Sequence, residues 1–367
     1  MYFKNLDGLR FLASMFVIIG HCQHILFDTH HIRVYSPYAE KLANFGVDFF
    51  FVLSGFLISF LLLKELKETE TIDIKRFYFR RILRLWPLYF IVGTLGLLTA
   101  EPILRWFEMV DTSPTGIEWF ANFAYLGLFS INFQILIGHM NPFSSPILGH
   151  FWSLSVEEQF YLIWAPALLF FRKKSVYFIL FMVLFGCYTT LYVTDFYKYL
   201  FPENFALAPF FFTSNRFFHF GLGALMAWVV LKKQIPVINK YISIVLQLAF
   251  FLPMCKYLFG HYFYDAALER LINGFIAMAI IIVAIAKTSI FPFEIAWMKY
   301  LGKVSFGIYI FHLFAIRLTF KLLKMNHLEV DSTLFQVLLP LISAGIAIAL
   351  SVFSYEKIEK YFLSFRK

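Results

Sequence analysis

Arg10 and His21 stand eleven residues apart in the stretch Asp7 to His21, DGLRFLASMFVIIGH. Eleven helical residues are about three turns, so both side chains share one face, about 16 Å apart along the axis. The residues between them suit a lipid or bundle interior. There an ionisable group costs roughly 2.5–3.5 kcal/mol on insertion scales, so its presence marks a function or a partner. An imidazole with an ordinary pKa of about 6.5 is a base at neutral pH. The plainer alternative is an interfacial arginine and a histidine that hydrogen-bonds a neighbouring helix.

Further polar groups recur at spacings that could serve the same chemistry. Arg76, Arg80 and Arg84 fall every four residues in KRFYFRRILRLWPLY, forming one helical stripe with Arg81 beside it. Such a stripe either snorkels to anionic headgroups or clamps a phosphorylated ligand, because guanidinium matches phosphate bidentately. Asp48, near one end of NFGVDFFFVLSGFLISF, is either a solvated helix-end acid or a partner that orients His21. His150, Ser153, Ser155, Glu157 and Glu158 crowd the mouth of a later helix. Ser155 and Glu158 fit a capping box, which leaves His150 and Glu157 as site candidates. Ser305, Tyr309 and His312 fall at i, i+4 and i+7, on roughly one face, with His312 near mid-span. A histidine satisfied within the bundle would explain that position equally.

The elements that must position these groups are membrane helices. The chain is 60% hydrophobic, 21% aromatic and only 15% charged, far from soluble composition. We expect an all-α, polytopic transmembrane bundle with spans near 8–27, 44–63, 83–101, 153–171, 175–194, 214–231, 238–258, 267–286, 303–323 and 334–355. The formal net charge of +9 then reflects Lys and Arg gathered on cytoplasmic loops, not nucleic-acid binding. Placing the N-terminus inside puts Lys64, Lys67, Lys75, the Arg76–Arg84 stripe, Arg172–Lys174 and Lys232–Lys240 on the cytoplasmic side with the C-terminal basic cluster. That sorting holds only if the apolar stretch 119–137 does not cross, so it is expected to be re-entrant or interfacial. Ser54-Gly55 and Gly221, Gly223 and Ala224 predict close helix packing. Cys22, Cys187 and Cys255 are too scattered for a disulfide framework or a thiolate metal site, and no metal is expected. No cleavable leader is expected, and residues 1–367 are expected to form a single integral-membrane domain without a fused soluble one.

Six segments in order, LDGLRFLASMFVIIGH, GVDFFFVLSGFLI, FYFRRILRLWPLY, GHFWSLSVEEQFYL, NRFFHFGLGALMA and LGKVSFGIYIFHLF, resemble the acyltransferase-3 family of integral membrane acyltransferases. The resemblance implies transfer of an acyl group, often acetyl, from cytoplasmic acyl-CoA to a hydroxyl of an envelope glycan, lipid-linked sugar or similar acceptor. It implies His21 as the essential histidine and Arg10 as its motif partner, with Asp48, Arg80, Arg84, His150 and Glu157 at other polar positions of the pattern. On this basis His21, Asp48 and Glu157 are candidate catalytic residues, and Arg10, Arg80 and Arg84 candidate CoA-binding residues. His150, Ser153, Tyr309 and His312 are candidates for the acceptor. Acyl-CoA is a donor substrate and no cofactor is permanently bound. His21 would act as general base or carry the acyl group itself, with Asp48 or Glu157 orienting its ring. The protein would be multi-pass in the cytoplasmic membrane, with both termini cytoplasmic.

A transporter or flippase is the rival class, since it too carries intramembrane charge. Its features would be two matching halves with broken helices, and the sequence displays neither. A serine hydrolase is disfavoured by the lack of a Gly-x-Ser-x-Gly elbow.

Overall fold

In the computed structural model, residues 3–30, 41–99, 106, 116–137, 147–201, 208–233, 239, 241–242, 244–245, 266–286 and 293–366 are described. Among these residues the architecture is entirely helical, without strands. Seven helices are long and apolar enough to cross a membrane: Leu6–Phe27, Lys41–Thr69, Ile74–Leu98, Arg172–Tyr192, Ala267–Ile285, Ser305–Met325 and Thr333–Leu363. Two more expected spans are helices, Phe151–Phe170 and Thr213–Lys233, but are not among the seven. Phe151–Phe170 carries the Glu157–Glu158 pair about two turns in, and Thr213–Lys233 carries Asn215–Arg216 in its first turn, which lowers their hydropathy. The span expected at 238–258 lies almost wholly outside the described residues.

The chain packs as two compact units, residues 1–64 with 219–352, and residues 65–218 with 353–367. In the first unit, α1 (Leu6–His30) and α2 (Lys41–Thr69, to Lys64) pack with the second part of α10 (Thr213–Lys233). They are joined by α11 (Ala266–Ile285), α12 (Ala296–Lys303), α13 (Ser305–Met325) and α14 (Thr333–Ser354). Asn5 enters α1 at φ 65°, a left-handed conformation that asparagine tolerates. Its side-chain amide donates to the Ala284 carbonyl at 2.9 Å, tying the start of α1 to the end of α11. The small residues of α2 and α10, each expected at a close helix approach, meet one another. A Cβ on Gly223 would lie 2.0 Å from the Val52 carbonyl oxygen, and one on Gly55 would lie 2.2 Å from that of Phe220. Glycine is therefore required where these two backbones cross.

The second unit is built on α3 (Ile74–Leu98), opened by Asp73, whose carboxylate accepts from the Arg76 N–H at 2.9 Å. Pro87 sits inside this helix, where it removes one backbone donor. The stretch 119–137 is not one span. It forms α4 (Gly116–Gly127) and α5 (Ile131–Ile137), separated by Phe129 at φ 50°. At about 1.5 Å per residue, neither piece reaches across a hydrocarbon core about 30 Å thick. The break is held by α6 (Phe151–Phe170): the Gln159 amide donates to the Phe129 carbonyl at 2.6 Å and to Asn132 Oδ1 at 2.9 Å. Asn132 in turn donates to Thr213 Oγ1 at 3.1 Å and to the Phe211 carbonyl at 3.2 Å. Backbone freed by the break thus finds partners within the protein. Around these pieces run α7 (Ser175–Tyr192), α8 (Thr194–Leu200) and α9 (Ala208–Phe211), and a π-helical turn, Tyr355–Glu359, leads into α15 (Lys360–Leu363).

Candidate functional site

In the first unit, α1 and α13 bring His21 and His312 together. The ring centroids are 4.9 Å apart, and His312 Nε2 lies 3.2 Å from His21 Nδ1. His21 Nδ1 also lies 3.0 Å from the Val17 carbonyl, one turn back on α1. His312 is fully buried, and its Nδ1 lies 2.5 Å from the Tyr309 carbonyl. These contacts select the tautomers. A carbonyl only accepts, so His312 carries its proton on Nδ1 and presents Nε2 as an acceptor. His21 Nδ1 faces two acceptors, the Val17 carbonyl and His312 Nε2, so it too must carry the proton. The lone pair of a neutral His21 is therefore on Nε2. Tyr309 supplies the carbonyl that fixes His312, and its ring stands 5.4 Å from that imidazole.

Arg10 lies on the same helix as His21 and points a guanidinium at Asp7, 3.9 Å away. Asp48, expected beside His21, is held elsewhere in this unit. Only 1% exposed, it faces His219 Nε2 at 3.5 Å and accepts from the Asn273 amide at 3.2 Å. His219 Nε2 is also 3.2 Å from the Arg270 carbonyl, an acceptor, so the proton sits on Nε2 and is directed at both oxygens. The group that meets the His21 ring is His312, not this carboxylate. The sequence analysis missed His219 and Asn273. His219 lies in the quoted segment NRFFHFGLGALMA, whose small residues marked a close helix approach but not that it is made to the helix of Asp48.

In the second unit, α3 carries the arginine stripe and α6 the acidic pair. The Arg81 guanidinium lies 6.0 Å from the centre of the Tyr161 ring, and the Tyr161 hydroxyl donates to Glu157. Glu158 accepts from the Trp86 indole N–H at 3.1 Å. The capping box expected from Ser155 and Glu158 is not formed. The helix begins at Phe151 with His150 at its N-cap, so Ser155 lies inside it and donates to the Phe151 carbonyl at 3.2 Å. Ser153 donates to the His150 carbonyl at 3.0 Å. Both His150 and Ser153 are buried in the first turn, one to two turns before Glu157. The C-terminal segment also joins α3: Arg366 Nη2 donates to the Arg80 carbonyl at 3.2 Å, and buried Glu359 lies within the field of Arg84. These two contacts were invisible in the sequence, where the C-terminal charges read only as a topology signal.

Comparison with known proteins gives this arrangement its context. A family model described as an acyltransferase domain matches residues 3–355. The chain is 28% identical over 351 residues to the peptidoglycan O-acetyltransferase OatA of Listeria monocytogenes, covering 92% of this chain and 53% of that protein. It is 32% identical over 192 residues to the O-acetyltransferase OatA of Staphylococcus aureus, covering 50% of this chain and 28% of that protein. The chain thus spans about half the length of these relatives or less. No solved structure matches it. From Phe3 to Tyr355, the chain belongs to the acyltransferase-3 family, whose model describes an acyltransferase domain.

Proposed function

We propose that this protein transfers an acetyl group from cytoplasmic acetyl-CoA to a hydroxyl of an envelope glycan, with peptidoglycan the leading acceptor class. The observation that carries the reading is the His21–His312 pair, which leaves a basic lone pair on Nε2 of a histidine set in an apolar helix. The names and extent of the similar O-acetyltransferases support the acetyl group and the glycan.

In the proposed reaction, His21 Nε2 takes the proton of the acceptor hydroxyl as its oxygen bonds to the thioester carbonyl carbon. The tetrahedral intermediate collapses with cleavage of the C–S bond. The imidazolium returns its proton to the departing sulfur, giving the O-acetyl ester and CoA thiol. His312 holds the ring by accepting from His21 Nδ1–H, and stabilises positive charge that develops there. A relayed version, in which Nε2 first takes the acetyl group, uses the same lone pair. Arg80 and Arg84, with Arg81 beside them, are proposed to hold the phosphates of CoA on the cytoplasmic side, where both termini lie. The donor set fits: guanidiniums grouped on one helix turn, with the Arg81 Nε buried and without a hydrogen-bond partner. Arg10 is proposed to assist donor binding, Glu157 to assist the chemistry, and His150 and Ser153 to meet the acceptor.

The test is acetyl transfer from labelled acetyl-CoA to glycan fragments by the purified protein in nanodiscs. Wild type should release CoA and label the glycan; His21→Ala should do neither while remaining folded. Full activity in that variant overturns the role of His21. Folded wild type that neither binds nor consumes acetyl-CoA overturns the reading as a CoA-dependent enzyme.

A further inference from the structure

The contact between Arg366 and α3 is used neither by the fold's apolar packing nor by the chemistry at His21. The π-helical turn Tyr355–Glu359 and α15 lie against α3 within the second unit. Arg366 follows them, and its Nη2 donates to the Arg80 carbonyl at 3.2 Å. That bond brings a fourth guanidinium to a helix turn that already carries three. Burial, and behind it the charges of Arg84, Arg81 and Arg80, push the Arg366 pKa down to about 10. It therefore stays charged at neutral pH among like charges.

The nearby carboxylates do not compensate this group. Glu359 lies in the field of Arg84 and accepts from the Ser354 hydroxyl at 3.3 Å. Glu157 and Glu158 bear on Arg81 from α6, where they are engaged by Tyr161 and Trp86. Meanwhile the Nε of Arg81 and the Nε of Arg366 are both buried without a hydrogen-bond partner. A buried donor left unsatisfied is costly, more so when charged, so two in one cluster point to a missing acceptor. A multiply charged anion with several oxygens would answer both the unmet N–H groups and the like-charge crowding.

We propose that Arg366 is a phosphate-binding residue that completes, with Arg80, Arg81 and Arg84, a site for the phosphates of the acyl donor. This rests on the donor reading above and adds to it a residue 282 positions beyond Arg84, whose side chain reaches the site only because the C-terminal segment returns to α3. Phosphate oxygens can come from CoA or from an anionic lipid headgroup; the assignment is to CoA.

The experiment measures CoA binding to the full-length protein in phosphatidylcholine nanodiscs, repeated with phosphatidylglycerol, and pantetheine serves as a phosphate-free probe. Arg366→Gln should weaken CoA at least tenfold, comparably to Arg84→Gln, and leave pantetheine unchanged; Arg366→Lys should recover part of the loss. If Arg366→Gln destabilises the protein, the CoA-induced rise in melting temperature of Arg366→Lys against wild type gives the same readout. Normal CoA binding by folded Arg366→Gln, with loss in Arg84→Gln, overturns the role of Arg366 and leaves the donor reading standing. Wild type that ignores CoA but is stabilised by phosphatidylglycerol, in a manner lost with Arg366→Gln, overturns the assignment to CoA and makes the anion a lipid. Wild type that responds to neither overturns the donor reading itself.

Discussion

His312 Nε2 meets His21 Nδ1 at 3.2 Å across 291 positions of sequence, and the Tyr309 carbonyl behind it fixes which nitrogen carries the proton. In the reaction proposed above, the pair makes His312 a positioning residue, acting through the tautomer, angle and charge of His21. His21→Ala should therefore lower acetyl transfer by at least about 100-fold, the lower end of the range for a general base. His312→Ala should lower kcat by about tenfold or more with little change in the KM for acetyl-CoA. His312→Gln, whose amide oxygen can accept from His21 Nδ1–H, should recover part of the rate. Steady-state CoA release checks all three; a His312→Ala enzyme with wild-type kcat would remove the positioning role.

The buried Asp48–His219–Asn273 cluster is expected to matter for stability. Removing a hydrogen-bond donor from a buried carboxylate leaves its charge less compensated, at about 1–3 kcal/mol or more. His219→Leu should lower the detergent melting temperature by several degrees, and His219→Leu with Asp48→Asn should be less harmful than the sum of the single changes. A double-mutant cycle from thermal unfolding checks this; strict additivity would mean that the two side chains do not interact.

The α2–α10 crossing predicts a sharp contrast between glycines. Gly223→Ala places a Cβ where the Val52 carbonyl oxygen lies, 2.0 Å away, and should cost about 1–3 kcal/mol through forced backbone shift. Gly345→Ala, with nothing within 4 Å of the added carbon, should be neutral or slightly stabilising. Detergent melting curves of the two variants decide the matter.

The break at Phe129 depends on one side chain. Gln159→Leu leaves the Phe129 carbonyl and Asn132 Oδ1 without their 2.6 Å and 2.9 Å donors, at about 1 kcal/mol for each part-buried hydrogen bond lost. Faster backbone hydrogen exchange across 128–134 is the expected result, with α3 unchanged. Uniform exchange in both regions would show that the break is held by other contacts.

Much of this protein was legible locally. A run of apolar residues long enough to span forms a helix because its backbone groups can pair only within the segment, so Leu6–Phe27, Lys41–Thr69 and Ser305–Met325 follow from composition. The arginine stripe of α3 and the shared face of Tyr309 and His312 follow from helical period alone. The small residues of α2 and α10 marked a close approach, although not its partner.

Tertiary structure decided which polar group faces which. Helical period places His21 and Asp48 on their own helices, but their angular relation depends on how α1, α2, α10 and α13 rotate and pack. That packing gives His21 a histidine and Asp48 another histidine with an asparagine. Hydropathy likewise could not divide 119–137, because the break is held by Gln159, thirty residues after Phe129. Arg366 is a further case: its bond to Arg80 crosses 286 positions and exists only because the C-terminal turn folds back on α3. Sequence determines each helix through bonds that close within about four residues. The site is set by contacts between helices, which no local pattern encodes.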